Sequence, residues 1–523
     1  MANPQTVEKR LKPVMAAVVE APTMQRTEST GTPLTARGGE MHIDEDLRQI
    51  LCYMDDGILL VSKSHAYNPH VRGFMARLTH LKRTFQVQLV DLTVIERAYA
   101  DAQTSSASRP SSSQMQMDAK EIFGQACAVG ASDIHFRVSK REKTQLHFRV
   151  NGDLEQVAEH SEVFGEQMCT AIYQALADVS DATFEKLSRQ DARISAKTKI
   201  PAGLDGIRIA TSPQADGFVM VLRLLYDSTG ESNDLVGLGM NENQKTSYEW
   251  MKSQPTGINI IAGPTGSGKS TTLKRVLSSI IEESRGRKHV LTVEDPPEYR
   301  IVGAVQTPVT NADTEEERSR KFQQAIKAAM RLDPDVIMIG EVRDAPSGSL
   351  AIQAAMTGHQ VWTTVHANSA FAIVDRLIDL GLAPNLVTDP TIITGLACQR
   401  LIKVLCPKCK APLADNLRRY TPAQIERVMS VLPVGDVFVR GTGCDHCRNS
   451  GNKGRTVVAE TVQTDDHLMT LLRAHDRREA LEYWKDARGG YTMRDHAVQK
   501  IRDGLVDPFQ AESIVGFLGD LRG

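Results

Sequence analysis

GPTGSGKS, residues 263–270, is the stretch on which the reading of the fold turns. It fits G-x-x-x-x-G-K-[ST], follows the apolar run INIIAG and precedes the helical pattern STTLKRVLSSIIEE. Glycines at 263, 266 and 268 let successive backbone N–H groups turn inward around phosphate oxygens. Lys269 reaches the β- and γ-phosphates, the Ser270 hydroxyl suits Mg²⁺, and the helix N-terminus favours the anion. The spacing thus predicts a strand, a phosphate loop and a helix binding ATP with Mg²⁺ through Gly263, Pro264, Thr265, Gly266, Ser267, Gly268, Lys269, Ser270 and Thr271.

Downstream, apolar strand patterns alternate with helical ones: HVLTVED, a helix over about 316–331, VIMIGEV, a helix over about 348–356, and QVWTTVHA. That alternation predicts an α/β domain on a largely parallel sheet. Ligands of such sheets sit outside the carboxyl ends of the strands, so Glu294 and Glu341 are expected to face the phosphates. His366, which follows an apolar strand and precedes a small polar turn, is a candidate phosphate sensor.

Upstream, alternating QLHFRV and FVMVLRLL flank a helix over about 166–177, giving a domain over 117–227. Polar STGESND makes residues 228–236 a hinge to a motor domain over 237–523. The Ser-rich QTSSASRPSSSQMQ reads as a flexible linker, 103–116. Before it lie a small domain over 41–102, without readable chemistry, and an aperiodic tail over 1–40. In 523 residues no run approaches the ~18 apolar residues of a membrane span, and Lys12 and Pro13 interrupt the first apolar stretch, so a cytoplasmic protein is expected. With 41% hydrophobic and 24% charged residues the chain has material for several cores. Lys plus Arg number 62 against 64 Asp plus Glu, so no global positive field draws it to nucleic acid.

Four of the eight cysteines form two C-x₂-C pairs, Cys406 with Cys409 and Cys444 with Cys447, separated by 34 residues. Each pair lets two thiolates bite one ion, and two pairs close a tetrahedral Cys₄ shell with no open position. A structural zinc site within a subdomain over 405–455 is the expectation, the small and charged neighbours offering no core of their own.

Taken in order, GPTGSGKSTTLK, VEDPPE, RLDPDVIMIGEVRD and TGHQVWTTVHAN resemble the Walker A, Asp box, Walker B and His box of the secretion ATPase superfamily that powers type II secretion and type IV pilus assembly. ASDIHFRV with FRVNGDL is similar to the signature of the domain preceding that motor, and QRLIKVLCPKC with GCDHCRNSGNKGR resembles its zinc-binding insertion. Gly340, where an ordinary Walker B carries Asp, is the family's own pattern. The resemblance implies a RecA-like P-loop motor domain, a preceding α+β (PAS-like) domain and a homohexameric ring that works on an inner-membrane platform protein, and so on pilins or pseudopilins. It implies Glu341 as the base that activates water, Glu294 as its partner in the magnesium and water network, and Lys269 as the phosphate clamp. The two glutamates could trade roles. Cations from the preceding domain are implied too, with Arg149, Arg193 and Arg208 as candidates by motif position. Retraction motors generally lack the zinc insertion, which favours extension. A DNA-translocating conjugation ATPase and a nucleotide-gated scaffold without turnover are the alternatives.

Overall fold

The computed structural model describes residues 33–36, 41, 43–105, 112–178, 183–227, 232–309 and 314–519. Most of the expected tail, residues 106–111 of the expected linker and 228–231 of the expected hinge lie outside the described residues. The chain divides into two compact units, Met1–Met115 and Gln116–Gly523.

In the first unit β1 (Leu51–Tyr53), β2 (Ile58–Ser62) and β3 (Gln86–Val90) form one sheet in that order, β1 antiparallel and β3 parallel to β2. The parallel step is spanned by the helix Pro69–His80, which starts on a capping Asn68 and a proline at its first turn. Its apolar stripe of Val71, Phe74 and Leu78 packs on Leu51, Leu59 and Val61. The helices Leu92–Ser105 and Ser112–Val129 enter the expected linker from both sides, so part of that stretch is helical.

The second unit opens with a six-stranded antiparallel sheet: β4 (Ala131–Ser139), β5 (Thr144–Val150), β6 (Asp153–His160), β7 (Gln190–Ile194), β8 (Leu204–Gln214) and β9 (Gly217–Tyr226), ordered β6-β5-β4-β9-β8-β7. Strict alternation buries Phe218, Met220, Leu222 and Leu224 of β9 and turns Arg223 the other way. The helix Glu162–Ala171, continued by a wider turn over Ile172–Leu176, matches the expected helix, though it begins four residues earlier.

The second sheet holds β10 (Gly257–Ala262), β11 (Val290–Glu294), β12 (Val305–Pro308), β13 (Val336–Ile339), β14 (Gln360–Val365) and β15 (Ile393–Leu405). A short pair, β16 (Ala411–Pro412) and β17 (Phe438–Val439), interrupts the chain before β18 (Asn452–Gln463) closes the order β12-β11-β13-β14-β10-β15-β18. Every pairing is parallel except the last, β15 with β18. The central strands β10, β11, β13 and β14 are buried on both faces, which is why their sequences are continuous apolar runs. Leu273, Val276, Leu277 and Ile280 of the helix Lys269–Glu283 pack on Ile261, Met338 and Trp362 on one face. The helix Ala345–Met356 covers Ile258, Ile260 and Ile337 on the other.

Candidate nucleotide site and cysteine cluster

The parallel register aligns the strand ends: Ala262 opposes Val365, and Ile339 opposes both Thr363 and Val293. Residues 263–270, Glu294, Glu341 and His366 therefore emerge at one edge of the sheet, as expected of its carboxyl ends. Gly263, Gly266 and Gly268 have φ of 147°, 76° and 85°, values that side chains rarely adopt. At Gly263 a Cβ would also stand 2.4 Å from Gln399 O and 2.6 Å from Ser267 Oγ. Buried Gln399 braces the loop, its Nε2 donating to Ser267 O at 2.9 Å while Thr272 Oγ1 donates to its Oε1 at 2.9 Å. Ser267 Oγ is buried and finds no partner within the protein, as suits a group that meets a polar ligand. Lys269 Nζ donates to Gly263 O at 2.7 Å and Pro264 O at 3.2 Å. Burial lowers its pKa against the opposing charges of Glu341 and Glu298. Thr271 Oγ1 lies 3.0 Å from Tyr299 OH.

Glu341 follows β13 by two residues, with Oε1 3.0 Å from His366 Nε2 and Oε2 accepting from Arg343 Nε at 2.9 Å. Glu294, the last residue of β11, is only 8% exposed. Its Oε1 accepts from Thr292 Oγ1 at 2.7 Å and Gln306 Nε2 at 3.0 Å. Burial raises its pKa, more than those two hydrogen bonds lower it. Gly340 packs against this carboxylate's own backbone: a Cβ there would meet Val293 O at 3.3 Å and Glu294 Cα at 3.5 Å. A side chain at position 340 would therefore need the end of β11 to give by a few tenths of an ångström.

The expected arginines fall on one line of the antiparallel sheet. Asp133 stands opposite both Arg149 and Arg223, Arg223 opposite Arg208, and Arg208 opposite Arg193. Directly opposed residues share a face, so four guanidiniums and one carboxylate form a row across five strands. Arg149 turns back on its own hairpin, donating to Gly152 O at 2.9 Å, and Arg193 Nε is buried without a hydrogen-bond partner. Arg208 is held below its ordinary pKa by burial and feels the charges of Glu298 and Asp295. Arg223, not among the expected residues, binds Asp133 Oδ1 at 3.1 Å and reaches to 3.9 Å from Glu298 Oε1, in the VEDPPE segment. It was legible as the single charge in the apolar run GFVMVLRLLY.

Cys406, Cys409, Cys444 and Cys447 converge, their sulfurs all within 4.8 Å of one another. Cys406 and Cys444 are 3.8 Å apart, Cys409 and Cys447 3.7 Å, and Cys444 and Cys447 3.8 Å. A tetrahedron with Zn–S near 2.3 Å has edges of about 3.8 Å, so the donor set fits that ion. Backbone N–H groups of Cys444 and Gly451 donate to Cys447 Sγ at 3.3 and 3.2 Å, which favours a thiolate. The expectation that this region builds no core is wrong. Leu413, Val428, Leu432, Val437 and Val439, from between the pairs, are buried together with Ile402, Val458, Ala497, Ile501 and Val506 from outside 405–455.

Residues 110–513 match the family described as Type II/IV secretion system protein, and the chain belongs to that family. The Type II secretion system protein E of Pseudomonas aeruginosa is 36% identical over 389 residues, 73% of this chain and 72% of that protein. The type IV pilus assembly ATPase TfpB of Acinetobacter baylyi is 33% identical over 377 residues, 72% of this chain and 61% of that protein. The Legionella pneumophila ATPase DotB shares the mixed α/β fold, with a TM-score of 0.52 and 20% identity over 76% of this chain and 95% of that one.

Proposed function

We propose that this protein is an ATP-hydrolysing motor whose RecA-like domain, 237–523, and preceding PAS-like domain, 117–227, close on ATP within a homohexameric ring. The observation that carries the reading is the alignment at one sheet edge of the phosphate loop, Glu294 and the Glu341–His366 pair, with Arg223 of the neighbouring sheet 3.9 Å from Glu298. Mg²⁺ bound to Ser270 would neutralise charge on the β- and γ-phosphate oxygens. Residues 263–271 bind the phosphates and Lys269 exchanges loop carbonyls for phosphate oxygens. Glu341 takes the proton of the attacking water and His366, 3.0 Å from it, orients the carboxylate and senses the γ-phosphate. Glu294 is the less suited base, because it is only 8% exposed, whereas the Glu341 side chain is 21% exposed and more open to an attacking water. Arg208 and Arg223, with Arg149 and Arg193 in the same row, supply the cations that two carboxylates beside a polyphosphate require. The Cys₄ cluster would hold zinc as a structural ion.

The likeness to relatives named for type II secretion and for type IV pilus assembly supports a secretion or pilus motor. Its work is read as done on pilins or pseudopilins, through a platform protein, at the cytoplasmic face of an inner membrane. A phosphate-release assay on the assembled chain tests the reading. Absence of ATP turnover would leave the nucleotide-gated scaffold, and turnover that rises on adding DNA at low salt would move the protein to the DNA-translocating branch.

A further inference from the structure

Two basic side chains rooted beside the cysteine cluster reach the arginine-bearing sheet. Lys403, on β15 shortly before Cys406, places Nζ 2.7 and 2.6 Å from the two carboxylate oxygens of Asp153. Arg448, directly after Cys447 and held at φ 51°, donates to Ala128 O at 3.0 Å and Val129 O at 3.2 Å. Those are the last carbonyls of the helix Ser112–Val129, where a cation also meets the negative end of the helix dipole.

Both contacts grip one place. The helix runs through Gly130 into β4, Ala131 opposes Val150, and the turn at 151–152 leads from β5 to Asp153. Asp133 and Arg149, the first members of the arginine row, stand next in register, and Arg149 ties the same turn from within through Gly152 O at 2.9 Å. Arg448 is placed by the cysteine loop: its N–H donates to Asp445 O at 3.2 Å, and the next residue's N–H donates to Cys444 O at 2.9 Å. An exposed ion pair such as Lys403–Asp153 adds little to global stability, so what these contacts govern is position.

We propose that Lys403 and Arg448 are positioning residues that make the Cys₄ module a clasp, holding the arginine row at its working distance from the nucleotide site. The proposal rests on the hydrolytic reading above, and it explains why a structural metal site is built into a motor. The test uses the full assembled chain and the variants Arg448→Ala, Lys403→Ala, Lys403→Asp, and Lys403→Asp combined with Asp153→Lys. Zinc per chain, ATP turnover, and amide exchange over 126–133 and 148–155 are read together.

For each single variant the expected result is unchanged zinc, exchange in both segments faster by about 10-fold, and kcat lower by about 10-fold with KM within about 2-fold. The charge-exchanged pair should recover both exchange and kcat relative to Lys403→Asp. Exchange that stays at the level of the parent chain in both segments, or a charge-exchanged pair as slow as Lys403→Asp, overturns the proposal. If the parent chain itself fails to turn over ATP, the hydrolytic reading falls separately, and the exchange data alone decide whether the clasp exists.

Discussion

Glu341 contacts His366 and Arg343 at once, with its two oxygens 3.0 and 2.9 Å from their nitrogens, so its orientation is set before substrate arrives. Glu341→Gln keeps the shape and loses the base, and turnover should fall by about 10² to 10⁴-fold with ATP still bound, as measured by phosphate release beside nucleotide affinity. Lys269→Ala removes the ammonium held at the loop, and tight nucleotide binding should be lost with the fold retained. Glu294 makes a different prediction. Because burial raises its folded pKa, its favourable contribution is complete at pH below the unfolded value and is lost as pH rises through the folded one. The raised pKa therefore makes the buried carboxylate a cost to the fold once pH exceeds the unfolded value. Glu294→Gln should raise the stability of the chain by about 1 kcal/mol at pH 7, an advantage that thermal melts should show shrinking toward pH 4.

The central elements owe their positions to burial on both faces. The helix after the phosphate loop is pinned by Leu273, Val276, Leu277 and Ile280, and Leu277→Ala should cost about 2–5 kcal/mol in a denaturant melt. At the carboxyl ends space is the constraint. Gly340→Ala would set a methyl 3.3 Å from Val293 O and 3.5 Å from Glu294 Cα, so the strand end that carries Glu294 must give by a few tenths of an ångström beside Glu341. Turnover should fall by up to about 10²-fold while the melting midpoint moves little. In the cysteine module the sulfur geometry calls for about one zinc per chain by elemental analysis. Cys409→Ser should release it and, because the module shares its core with Ile402, Val458, Ala497 and Ile501, should loosen the C-terminal helices too.

Across the whole molecule, the arginine row and the phosphate loop belong to different sheets, so hydrolysis should depend on how those sheets are held and assembled. Arg208→Ala and Arg223→Ala should assemble normally and turn over ATP about 10- to 10³-fold more slowly, read by size and phosphate release on the same sample. Activity per chain should rise with protein concentration until the ring forms. Equal activity in dilute monomer would remove the ring from the mechanism. No helix among the described residues is long and apolar enough to cross a membrane.

Local signals were enough for the P-loop strand and helix, the later parallel strands and the pairing of the cysteines. Each depends on neighbours within a few residues or on a fixed spacing such as C-x₂-C. The acidic strand ends and His366 were legible for the same reason, since in a parallel sheet all carboxyl ends share an edge. Motif position names Arg149, Arg193 and Arg208, but that they stand in one row with Arg223 was not legible. Arg149, Arg193, Arg208 and Arg223 come from four different strands, and only the register of five antiparallel strands sets them in one row. The shared core of the cysteine module escaped the sequence reading likewise, because Leu413 and Val437 look isolated until residues 497–506 fold over them. Periodicity and spacing act over a few residues and are written in the chain itself, whereas register and the meeting of distant surfaces are settled only when the whole core packs.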